Sequence, residues 1–119
     1  MFSFEKLSVY NKARELVKEV YALQRQFPKE ERYELGDQIR RSITSVTSNI
    51  AEGSGRDSYK EKIHLLEISF GSLMESFSQL LNAQDLGYIS ELDVENLRPM
   101  YEEVAKMLSG LKNTFKEKL

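Results

Sequence analysis

Gln38-Ile-Arg-Arg-Ser-Ile-Thr-Ser-Val-Thr-Ser-Asn-Ile-Ala-Glu-Gly53 is the stretch on which the fold turns. Ile39, Ile43, Val46 and Ile50 recur at spacings of four, three and four, the signature of a helix with one buried face. Opposite them runs a second row, Gln38, Arg41, Ser45, Ser48 and Glu52, at the same period but small and polar. A helix patterned on both sides has a core to fill and a second surface to present.

The same period continues outward from this stretch. Upstream, Val9, Ala13, Leu16, Val20, Leu23 and Phe27 form a bundle seam and predict a helix over Ser8–Phe27, stopped where Pro28 disfavours helix in the residue before it. The quoted helix itself should rise from Lys29 or Tyr33 and close at Gly53 in a left-handed turn. Downstream, Ser58 with Glu61 is a capping box opening a third helix, with core row Tyr59, Ile63, Leu66, Phe70, Leu73, Phe77 and Leu80, ending at Gly87. Ser90 caps a fourth, with seam Leu97, Tyr101, Val104, Leu108, Leu111 and Phe115. Pro99 should kink that helix or split off a segment near Glu91–Arg98. Short connections predict an all-α, antiparallel up-down-up-down four-helix bundle, one domain over residues 1–119.

Phe27-Pro28, Gln38–Gly53, the Gly53-Ser54-Gly55-Arg56 that follows, and Gly71-Ser72 together resemble the bacterial four-helix-bundle proteins encoded in intervening sequences of large-subunit ribosomal RNA genes. The accessory protein of diversity-generating retroelements is similar. The resemblance runs along essentially the whole chain. It implies a ring-like homo-oligomer, a pentamer, and an association with RNA or a ribonucleoprotein. One departure is charge: the retroelement relative is basic, and this chain is acidic overall.

Net charge is −2 and unevenly spread. Residues 1–64 hold 12 Lys/Arg against 10 Asp/Glu, and residues 65–119 hold 5 against 9. A dedicated nucleic-acid binder is usually clearly basic, so any such binding has to come from a local face or from several subunits together. Absence of cysteine excludes disulfides, thiolate metal sites and cysteine nucleophiles. No apolar run approaches the ~20 residues of a membrane span, and Met1-Phe2-Ser3-Phe4-Glu5-Lys6 lacks a secretory signal's apolar stretch, so a cytoplasmic location without membrane partners is expected.

Catalytic chemistry finds little to work with. Glu61 and His64 have the spacing used by di-iron bundles, but such a site needs two of these pairs plus two more glutamates, and His64 is the single histidine. Both also point away from the Ile63–Leu66–Phe70 row. Serines lack a nucleophile elbow and an inward base. Gly53-Ser54-Gly55-Arg56 lacks the longer phosphate-loop pattern and its lysine. The expectation is a protein that is not an enzyme, with no cofactor and no catalytic or metal site.

Surface rows carry the remaining expectations. Leu65, Ile68 and Ser72 lie beside or opposite the core row of the third helix, with Ser69 and Ser76 on the same flank. With Arg41, Ser45, Ser48 and Glu52 they form the expected oligomer interface, small residues permitting close approach and opposite charges setting register. For nucleic acid the candidates are Arg14, Lys18 and Arg25, one stripe with Tyr10 and Tyr21 beside it, and the short pair Arg40 and Arg41. The favoured reading is a non-enzymatic, self-assembling accessory or scaffold protein around RNA or a ribonucleoprotein. Its rivals are a protein–protein scaffold without nucleic acid and a metal-dependent nuclease.

Overall fold

A computed structural model describes residues 1–119 and is all helical: α1 (Ser8–Gln24), α2 (Leu35–Ser54), α3 (Tyr59–Asp85) and α4 (Glu91–Lys116), with 3-10 turns at Ser3–Lys6 and Lys29–Glu31 and no strand. Each helix packs on its two neighbours in the cycle α1–α2–α3–α4–α1 and not on its diagonal, making a rod of 46 × 24 × 23 Å. Twenty buried apolar residues from the four helices, the α1–α2 connection and the α3–α4 turn form one core. The rows of α1 and α2 are buried as expected, and so is the α4 seam from Leu97 to Leu108, joined by Val94.

Local chemistry accounts for the helix ends. Ser58 Oγ accepts from the Glu61 backbone N–H, and Ser90 and Asp93 cap each other reciprocally. At the end of α3, Gly87 takes φ 81°, while the Tyr88 N–H reaches Ala83 O at 2.9 Å and the Gly87 N–H reaches Gln84 O at 3.0 Å. That pair of bonds consumes two otherwise orphaned carbonyls.

Several expectations need correction. Helix α1 stops at Gln24, three residues early, yet Phe27 still reaches the core. Gly53 does not close α2: it lies inside the helix, which ends at Ser54, and no left-handed residue occurs there. Its lack of a side chain matters because a Cβ would stand 3.2 Å from Leu65 Cβ on α3. Pro99 splits nothing off, because α4 is continuous through it. Finally, α3 is rotated from its expected phase. Ile63, Leu66, Leu73 and Leu80 are buried as expected, but Phe70 and Phe77 are only half-buried and Tyr59 is exposed, while Leu65, Ser69, Ser76, Gln79 and Ala83 are buried as well.

That rotation follows from the α2–α3 seam. Ser69 Oγ donates to Val46 O at 2.8 Å, Ser42 Oγ to Gln79 Oε1 at 2.7 Å, and the Ser45 and Ser72 hydroxyls share a bond of 2.8 Å. Gly53, late in α2, meets Leu65, early in α3, while Ser42, early in α2, meets Gln79, late in α3. Small side chains bring the two backbones close, and each hydroxyl repays its desolvation with a hydrogen bond. Across the bundle Ser76 pairs with the Tyr101 hydroxyl at 2.6 Å, and burial of that phenol raises its pKa above the ordinary range. No buried side-chain polar atom is left without a partner.

Candidate nucleic-acid interface: a basic cup where α1 turns into α2

Where α1 ends, Arg25 is its C-cap, Phe27 drops into the core, and Pro28 holds an extended backbone before the turn at Lys29–Glu31. The chain then folds back into α2, whose second turn carries Arg40. This reversal encloses a cup of about 490 Å³. Its walls hold four cations, Arg25, Lys29, Arg32 and Arg40, with the phenol of Tyr33, the amide of Gln24 and the apolar Phe27 and Pro28. No acidic residue lines it.

Arg40 is the fixed wall. Its Nη1 donates to Gln24 Oε1 at 2.8 Å and its Nη2 to the Arg32 carbonyl at 2.8 Å, and the side chain is only 22% exposed. Gly36 makes room for this: a Cβ there would lie 3.1 Å from Gln24 Nε2 and 3.2 Å from Arg40 Nη1. Arg25, Lys29 and Arg32 form no ion pair, whereas Arg41, Arg56, Arg98, Lys12 and Lys112 each have a carboxylate partner. Of the acids in the same segment, Glu30 and Glu34 are exposed and outside the lining of the cup. Asp37 binds Arg41 at 3.1 Å and stands 3.8 Å from Arg40, and the nearby Glu31 carboxylate holds the Tyr88 phenol above its ordinary range. Tyr33 is 78% exposed, with the Arg32 guanidinium 5.6 Å from its ring centre. A concavity lined by one sign of charge concentrates potential, which gives a chain of net charge −2 a local place to attract an anion.

The structure redistributes the expected nucleic-acid residues. Arg25 and Arg40, assigned to separate stripes, meet in the cup. Arg14 and Lys18 stand exposed farther along α1, with Arg14 5.9 Å from the Tyr10 ring centre. Arg41 points out of the cup to Asp37. Lys29, Arg32 and Tyr33 were missed. Their signal is the Arg25-Gln-Phe-Pro-Lys-Glu-Glu-Arg-Tyr33 run, where intervening glutamates mask the cations.

The expected interface residues divide as well. Leu65 does not sit on an outward apolar spot, being 8% exposed and packed at Gly53, and Ser45 and Ser72 bond to each other between α2 and α3. Arg41, Ser48, Glu52 and Ile68 remain on the surface, Glu52 paired with Arg56 at 2.6 Å. Glu61 and His64 are exposed, and no three His, Cys, Asp or Glu residues stand close enough to hold a metal ion, so nothing in the geometry favours the nuclease reading. No helix is long and apolar enough to cross a membrane.

Among solved structures, one similar in fold is a protein of unknown function from the S23 ribosomal protein family of Bacteroides thetaiotaomicron VPI-5482. It aligns with a TM-score of 0.80 at 24% identity, over 87% of this chain and 97% of that one. No curated protein matches the chain. The 23S rRNA-intervening sequence protein family matches over residues 5–110, spanning the cup and all but the end of α4, and the chain belongs to that family.

Proposed function

We propose that this chain is a non-enzymatic accessory protein that associates with RNA or a ribonucleoprotein and works as a homo-oligomer of antiparallel up-down-up-down bundles, a pentameric ring. The observation that carries the RNA part is the cup: four cations, three of them without an ion pair, and an exposed tyrosine around one concavity lined by no acid. Cations paired with an aromatic suit phosphate and base together. Arg14 and Lys18 on α1 extend the basic surface, and the family's description refers to ribosomal RNA.

Fluorescence anisotropy with a labelled, unstructured RNA at low salt tests the reading. Wild type should bind, and Arg25→Ala/Arg32→Ala should lose most of the affinity with helicity unchanged, since both side chains are exposed. If wild type shows no binding at low salt, the protein–protein scaffold replaces the RNA reading. One observation favours that alternative: α3 leaves Met74 and Leu81 about 40% exposed on the same flank as half-buried Phe70 and Phe77, an apolar surface of the kind that marks a protein contact.

A further inference from the structure

We propose that the cup takes the phosphorylated end of a single RNA strand, its terminal phosphate held by Arg25, Lys29 and Arg32 against the fixed Arg40, and its adjoining base stacked on Tyr33. This rests on the RNA reading above and specifies which part of the RNA the cup recognises.

The first argument is charge. An internal phosphodiester carries one negative charge, whereas a phosphomonoester carries about −1.5 to −2 at neutral pH and offers three acceptor oxygens. Arg25, Lys29 and Arg32, none of them ion-paired, together with Arg40, which stands 3.8 Å from Asp37, exceed what one diester neutralises and match a terminal phosphate. Guanidinium groups add paired donors suited to phosphate oxygens. The second argument is size. About 490 Å³ lies in the range of pockets that hold one small molecule, not a run of nucleotides. The third is preorganisation. Arg40 is already tied to Gln24 and to the Arg32 carbonyl, so one wall of the cup needs no ordering when an anion arrives. Arg32 stands over the Tyr33 ring, which links the phosphate-binding cations to the one exposed aromatic at the rim. Stacking on that ring is tolerant of base identity, so preference should follow the end group and not the sequence.

The experiment compares one unstructured oligoribonucleotide in three forms: 5′-phosphorylated, 3′-phosphorylated and hydroxyl at both ends. Binding to the full-length chain is read by anisotropy with an internal label. One phosphorylated form should bind at least tenfold tighter than the hydroxyl-ended strand. Arg25→Ala/Arg32→Ala should erase that difference, and Arg14→Ala/Lys18→Ala should weaken all three forms while preserving it. Tyr33→Ala should weaken the preferred form and Tyr33→Phe should not. Inorganic phosphate at the oligonucleotide's concentration should fail to compete, and full competition by it would reassign the cup to free phosphate and overturn the proposal. Equal affinity for all three forms would also overturn it while leaving RNA association standing. Absence of binding by any form would remove both.

Discussion

Serine does two opposite jobs in this chain, and residue type alone does not say which. Ser58 and Ser90 stand at helix starts and accept from backbone N–H groups, which the spacing to Glu61 and Asp93 reveals directly. Ser42, Ser69 and Ser76 are buried in helix interiors, where a polar residue is ordinarily read as facing water. They go inside because each hydroxyl finds an oxygen partner across the seam, and no pattern of spacing announces that partner. If Ser69 is there for its size, Ser69→Leu should cost about 1–3 kcal/mol by overpacking. Ser69→Ala should cost less, about 0.5–1.5 kcal/mol for one hydrogen bond, since Val46 O keeps its helical partner. Urea unfolding of the two variants decides it. An alanine as damaging as the leucine would assign the position to the hydrogen bond instead.

At the scale of the element, legibility tracks how many neighbours a helix has to satisfy with large side chains. Helices α1 and α2 each bury a row of large apolar residues that spacing picks out, and the row of Ile39, Ile43, Val46 and Ile50 is as buried as its spacing implies. Helix α3 buries two flanks, a small-residue one on α2 and a leucine one on the core, so following its largest residues set the phase too far toward Phe70 and Phe77. Gly53 was misread for a related reason: glycine near a helix end suggests closure, and close approach by another helix is invisible until that helix is placed. The cup was half legible, because Arg25 and Arg40 are distant in sequence and only the reversal at Pro28 brings them together. A consequence can be measured on α3. Leu73→Ala, at a fully buried position, should cost about 2–5 kcal/mol. Phe70→Ala should cost less despite removing a larger side chain, because its ring lies half-exposed between α3 and α4. Denaturant midpoints in the reverse order would restore the phase expected from sequence.

For the whole molecule, the difficulty is binding an anionic polymer with a chain of net charge −2. Each phosphate contact on a single strand contributes about −0.7 to the slope of log affinity against log salt. A lone chain offering one cup plus Arg14 and Lys18 reaches few phosphates, so its slope should stay shallower than about −3. In a ring one cup holds the phosphorylated end while the α1 stripes of neighbouring copies contact the same strand, and this linked binding raises affinity through effective concentration. The surface residue best placed to test this is Ile68, 39% exposed on α3 and far in character from the basic cup. Ile68→Glu puts a charge where a subunit contact would bury it, so light scattering coupled to size exclusion should find a folded but smaller species. That variant should keep the short-strand binding of the cup, lose the extra affinity that longer strands gain, and show the shallower salt slope. A wild-type chain that is monomeric at tens of micromolar, or a slope that is the same in both proteins, would mean that a single cup carries whatever RNA binding there is.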